Sequence, residues 1–120
     1  MLVVEDESMI RMMLVDELEE AGLTVIEADG ADAALVHLEA NPSIAVVVTD
    51  IRMPGSMDGL GLASWMHDHT PQCPIIITSG FASPPDFAAI NPAIACVWAK
   101  PYAAQDVVVC VADLMAKQLG

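Results

Sequence analysis

Basic residues are scarce in this chain: four Lys and Arg stand against seventeen Asp and Glu, for a formal net charge of −13. So acidic a surface repels phosphate backbones, which argues against direct nucleic-acid binding and favours basic partners. Long apolar runs are missing as well. The hydrophobic share is 55 %, yet Asp, Glu, Pro or Gly breaks every run before the roughly 18 residues of a membrane span accumulate. No basic n-region precedes Val3-Val4-Glu5-Asp6, so a secretory signal is not expected and a cytoplasmic location is. Cysteine is limited to Cys73, Cys96 and Cys110, an odd number without C-x-x-C spacing. That pattern predicts neither a disulfide framework nor a zinc cluster, and reads the three as small apolar side chains. Disorder is excluded by the apolar content.

What is present fits one domain over residues 1–120. Apolar runs of strand length recur at Leu2–Val4, Thr24–Ile26, Ile44–Val48, Ile75–Ile77 and Ala95–Trp98. The intervening segments predict helices over about Ser8–Ala21, Ala31–Ala40, Gly59–His69 and Ala103–Gln118, with two turns at most inside the proline-rich stretch Ser83–Pro92. In the first helix Ile10, Met13, Leu14 and Leu18 form one stripe, and its methionines read as core filler. The third run, Ile44-Ala45-Val46-Val47-Val48, does not alternate, the pattern of a parallel strand covered on both faces. An open α/β sandwich follows.

Ligands of such sheets bind beyond the carboxyl ends of the strands. There the first strand offers Glu5-Asp6, the third Thr49-Asp50, the fourth Thr78-Ser79-Gly80 and the fifth Lys100-Pro101. If the first and third strands are neighbours, Glu5, Asp6 and Asp50 gather with Lys100. The formal sum is −3 + 1 = −2, which one divalent cation neutralises. An all-oxygen set without His or Cys favours Mg²⁺, held by one or two carboxylates, water and a phosphoryl group. The alternative for each acid singly is a loop residue capping the next helix. His67-Asp68-His69 is a weaker metal candidate, since residues two apart on a helix diverge, and His37 is expected to face solvent.

The ordered set Val3-Val4-Glu5-Asp6-Glu7, Asp50-Ile51-Arg52-Met53-Pro54-Gly55, Met57-Asp58-Gly59, Ile77-Thr78-Ser79-Gly80 and Lys100-Pro101-Tyr102 resembles the receiver domain of two-component response regulators over essentially the whole chain. The resemblance implies a flavodoxin-like doubly wound (βα)5 sandwich with a five-stranded parallel sheet. It implies Mg²⁺-dependent phosphoryl transfer from a histidine kinase or phosphotransfer protein to Asp50, switching the conformation. By the same resemblance Glu5, Asp6, Asp50 and the main-chain oxygen of Arg52 serve the metal, Lys100 contacts the phosphoryl group, and Ser79 rather than Thr78 is the switch hydroxyl. A cis Lys100–Pro101 bond is expected. Such a chain catalyses only its own phosphorylation and dephosphorylation, and passes its signal to a second copy or an output domain.

Two positions depart from the family pattern. Val97 stands three residues before the lysine, where many receivers carry an aromatic switch residue, with Trp98 beside it. The stretch Ser83–Pro92 is short and proline-rich, so a loop rather than a fourth helix is expected to respond. Arg52 and Phe81 flank the expected path of the hydrolytic water and offer no acid to orient it, which predicts a persistent phosphoryl group. The competing readings are a haloacid-dehalogenase-like Mg²⁺ phosphatase, a nucleotide binder, and a receiver-like module that takes no phosphate. The first wants an aspartate where Arg52 stands. The second wants a glycine-rich loop after the first strand, which is missing.

Overall fold

The computed structural model describes every residue except 53, 54, 56, 80–86, 101 and 120, and no side chain at 87, 88, 118 or 119. Five strands and five helices alternate: β1 (Leu2–Val4), α1 (Ser8–Glu20), β2 (Ile26–Ala28), α2 (Ala31–Ala40), β3 (Val47–Asp50), α3 (Gly59–His69), β4 (Ile75–Ser79), α4 (Phe87–Ile90), β5 (Ile94–Ala99) and α5 (Ala104–Leu119). The strands are all parallel, in the order β2-β1-β3-β4-β5. This is the doubly wound (βα)5 sandwich expected from the sequence, and β1 and β3 are neighbours.

Two apolar clusters flank the sheet. On one face Val4, Val47, Ile75 and Ile77 pack against Ala34 and Leu38 of α2 and Leu62 and Met66 of α3. On the other, Val3, Val48 and Ile76 meet Leu14 and Leu18 of α1 and Val107 and Val111 of α5. Successive residues of β3 thus serve opposite faces, which explains why its sequence does not alternate. Asn91 is fully buried: its Nδ2 donates to Ala63 O (3.0 Å) and its Oδ1 accepts from Ala93 N (2.9 Å), tying α3 to the start of β5.

Several boundaries differ from expectation for one reason. β2 begins at Ile26 because its backbone is registered on β1, with Leu2 opposite Ile26 and Ile26 N donating to Met1 O. β3 and β4 run on to Asp50 and Ser79 because Asp50 pairs with Thr78, although apolar character has already ended. Helix α1 closes where expected, with Gly22 at φ +93° just beyond it.

Its buried stripe is corrected: Leu14, Val15 and Leu18 are the buried residues, whereas Met9, Met12 and Met13 are 76 %, 59 % and 64 % exposed. Packing on both β1 and α5 turns the helix so that Val15 faces the core instead of Met13. The cysteine reading is corrected too. Cys96 of β5 and Cys110 of α5 are joined by a disulfide, and Cys73 alone is free and buried. The fold back of α5 over β5 creates this pair, which no sequence spacing announces. Helix α4 spans a single turn. The turn at residues 53 and 54, Phe81 and the Lys100–Pro101 bond lie outside the described residues. Among described residues no helix is long and apolar enough to cross a membrane.

Candidate phosphoryl and metal site

The carboxyl ends of β1, β3, β4 and β5 converge on a cleft of about 320 Å³ lined by Asp6, Glu7, Asp50, Ile51, Arg52, Ser79 and Lys100. β3 is the central strand, and its apolar residues fix the backbone in the core while its last residue reaches the rim. Asp50 Oδ1 accepts from its neighbour's amide, Ile51 N, at 2.8 Å. That bond aims Oδ2 at Lys100 Nζ, 2.8 Å away.

Lys100 also donates to Glu5 Oε1 at 3.0 Å, bridging the ends of β1 and β3. The lysine is set there by its own main chain, whose N–H donates to Ser79 O at 2.8 Å. Burial acts to lower the Lys100 pKa, but the bonds to Asp50 and Glu5 outweigh it and the net shift is upward. The ammonium is therefore a permanent charge in the cleft. Glu5, only 3 % exposed, is pushed above the usual carboxylate range by burial, by a hydrogen bond with Asp6 and by the charge of Asp50. Its bonds to Lys100 and to Glu7 N, which donates to Oε2 at 3.2 Å, partly offset that rise.

One carboxylate oxygen each from Glu5, Asp6 and Asp50 can be chosen so that all three lie within 4.8 Å of one another. Such an all-oxygen set of three acids, only partly neutralised by one lysine, fits a small hard dication. The structure thus brings together Glu5, Asp6, Asp50, Ser79, Lys100 and Arg52. Ser79 lines the cleft and Thr78 does not, as expected when successive residues of β4 face opposite sides. Val97 is 42 % exposed on the outer face of β5, while Trp98 points inward and packs in the cluster of α1 and α5. The Trp98 Nε1 is buried without a hydrogen-bond partner among the described residues. Away from the cleft, His69 stacks on Trp65, with centroids 4.2 Å apart, and its Nδ1 donates to Trp65 O.

One residue with a site role was missed. Gly59 opens α3 hard against the end of β3: its N–H donates to Ile51 O at 2.7 Å. A Cβ there would collide with Asp50 O and lie 2.8 Å from Ile51 Cα. The signal was present as Met57-Asp58-Gly59, where Asp58 caps α3 by accepting from Gly61 N at 2.9 Å, but a glycine at a helix start does not reveal what it approaches.

The response regulator receiver domain model matches residues 1–112. The chain belongs to the receiver domain family. The receiver is 36 % identical over 91 residues to the response regulator receiver protein CpdR of Brucella abortus, covering 76 % of this chain and 71 % of CpdR. It is 34 % identical over 120 residues to the sensor kinase CckA of the same organism, covering 98 % of this chain but 12 % of CckA. Among solved structures it matches the response regulator TrrA of Thermotoga maritima, determined in complex with Mg²⁺ and BeF, with a TM-score of 0.81 at 25 % identity over 94 % of this chain and 96 % of that one. Receivers are in general signalling modules of two-component systems, working with histidine kinases or phosphotransfer proteins. The dehalogenase-like and nucleotide-binding readings are not favoured by these matches.

Proposed function

We propose that Asp50 is the phosphoacceptor of this receiver, taking a phosphoryl group from a phosphohistidine donor in a Mg²⁺-dependent transfer. The observation that carries the reading is Lys100 Nζ held at 2.8 Å from Asp50 Oδ2 in a cleft that also offers Glu5, Asp6 and Ser79. Ile51 N fixes one carboxylate oxygen and leaves Oδ2 as the attacking atom. As the Oδ2–phosphorus bond forms, the bond from phosphorus to the donor imidazole breaks and the imidazole leaves with its electron pair. Lys100 then moves its donation from the carboxylate to a phosphoryl oxygen, and the Ser79 hydroxyl donates to another. Glu5, Asp6 and Asp50, with the main-chain oxygen of Arg52, would hold Mg²⁺. Bound there, the metal neutralises the acids and the incoming phosphoryl charge, so that one anion can attack another.

The donor surface is assigned to α1. An apolar groove of about 360 Å³ lined by Ile10, Met13, Leu14, Lys100, Tyr102 and Ala104 adjoins the cleft. Met9, Met12 and Met13 stand exposed along α1, and flexible methionines suit a helical partner surface. Arg52 is exposed at the rim of the cleft and brings no carboxylate to orient water, which supports a long-lived acyl phosphate. The test is intact mass after incubation with acetyl phosphate and Mg²⁺. One added phosphoryl group is expected, lost on chelation of Mg²⁺ before the reaction and lost in Asp50→Asn. An unmodified wild type overturns the reading.

A further inference from the structure

The turn between β1 and α1 carries two of the three acids, yet it is only Glu5, Asp6 and Glu7 long. Its hold on its own conformation is thin. Glu7 is the N-cap of α1 but its side chain makes no capping bond, and the Glu5 carboxylate, shared with Lys100, gives the turn one internal bond, accepting from Glu7 N at 3.2 Å. The carbonyl between Glu5 and Asp6 is held by Arg11, one turn into α1. Its Nη1 donates to Glu5 O at 2.7 Å, and its Nε donates to Glu27 Oε1 at 3.3 Å on the neighbouring β2. The Arg11 side chain is 19 % exposed and that of Glu27 48 %, so the arm to Glu5 O is part-buried while the arm to β2 meets solvent. Of only four basic residues in the chain, one bonds the side chain of Glu5 and another its main chain.

We propose that Arg11 is a positioning residue for the metal site, fixing the peptide between Glu5 and Asp6 so that both carboxylates face Asp50. The proposal rests on the reading of Glu5, Asp6 and Asp50 as the Mg²⁺ ligands. The planar guanidinium suits the task because it serves two acceptors at once, a carbonyl on its own turn and a carboxylate on β2. With the Arg11 fork gone, Glu5 N still donates to Ala28 O at 3.1 Å and Glu7 N to Glu5 Oε2 at 3.2 Å, but the carbonyl of the peptide that carries Asp6 loses its bond to the guanidinium. Outer partners that orient ligands in this way typically govern metal affinity by about 10- to 100-fold.

The sign of the effect separates positioning from simple electrostatics. A cation near a dication site opposes binding, so loss of the Arg11 charge alone would tighten Mg²⁺. Loss of positioning weakens it. A purely structural role lowers the melting temperature and leaves the affinity unmoved. The experiment is Mg²⁺ titration by calorimetry on wild type, Arg11→Ala and Arg11→Lys, with acetyl phosphate rates measured across Mg²⁺ concentration.

Arg11→Ala is expected to weaken Mg²⁺ by about 10-fold or more, with Arg11→Lys in between, and with the rate at saturating Mg²⁺ returning towards wild type. Affinity equal to or tighter than wild type in Arg11→Ala overturns the proposal. Should Arg11→Ala not fold, Arg11→Lys decides: weaker Mg²⁺ binding supports the proposal and unchanged or tighter binding overturns it. A wild type that binds no Mg²⁺ sinks the metal-site reading itself, a result distinct from a wild type that binds and variants that bind equally well.

Discussion

Replacing Lys100 by Met removes one positive charge from between two buried carboxylates while keeping most of the side-chain volume. In the native cleft the ammonium lies 3.0 Å from Glu5 and 2.8 Å from Asp50, whose side chains are 3 % and 8 % exposed. Stripping one partner from a fully buried pair costs about 3–5 kcal/mol. Because Lys100 is 22 % exposed and the cleft admits water, we expect roughly 2–3 kcal/mol, below or at the low end of that range. The formal charge of the four-residue cluster falls from −3 + 1 = −2 to −3, so Mg²⁺ should bind the variant more tightly. Mg²⁺ stabilises both proteins by linkage, so at saturating metal the gap narrows by about 1.4 kcal/mol for each tenfold by which the variant binds more tightly.

The acid side of the profile has a definite sign. Glu5 has a native pKa above its ordinary 4.5, so its ionisation costs stability as pH rises above that value, and the cost grows once Lys100 is gone. The deficit of Lys100→Met should therefore shrink towards acid pH. In the wild type the contribution of Lys100 is complete below its unfolded value of 10.5 and is lost only as pH climbs through the raised native value. Urea unfolding followed by tryptophan fluorescence, in chelator and in Mg²⁺, measures all of this. A variant as stable as wild type in chelator, or a deficit that Mg²⁺ fails to narrow, refutes the reasoning.

Gly59→Ala forces a methyl group into Asp50 O and Ile51 Cα; a stability loss of about 1–3 kcal/mol and slower acetyl phosphate labelling are expected, and wild-type values for both would show that the contact relaxes freely. Met13→Asp charges the groove beside the cleft and should slow phosphotransfer from a phosphohistidine protein while leaving labelling by acetyl phosphate unchanged; equal loss with both donors would deny α1 a docking role. Thiol titration of the unreduced protein should count one group after unfolding, Cys73, because Cys96 and Cys110 are bonded. In the native state Cys73 should resist reaction, since burial pushes its pKa from 9.0 up to about 11. A proton kept in the folded state and lost in the unfolded one makes stability fall as pH rises between those values, by no more than about 1.4 kcal/mol per pH unit.

Legibility in the sequence followed from whether a feature is local. The helices over Ala31–Ala40 and Gly59–His69 were readable to the residue, because caps and prolines are written next to the ends they make. Strand ends were less readable: Asp50, Thr78 and Ser79 look like loop residues by hydropathy, and only pairing with a neighbour keeps them in the ladder. The acids and Lys100 could be assembled because strand order in such sheets places their ends together. Neither the exposure of Met13 nor the bond between Cys96 and Cys110 was readable, since both depend on how a helix rolls against elements far away in sequence. Gly59 and Arg11 were visible as residues, but their contacts with Asp50 O and Glu5 O exist only in three dimensions.

The central claim, that Asp50 carries the phosphoryl group, is tested most directly by labelling with acetyl phosphate and Mg²⁺, reducing the product with borohydride and sequencing its peptides by mass spectrometry. An acyl phosphate at Asp50 is converted to homoserine at that position, and this is the result the account predicts. Homoserine at Asp6, the one-carbon-longer 5-hydroxynorvaline at Glu5, or no reduced residue in a fully labelled protein, would contradict it.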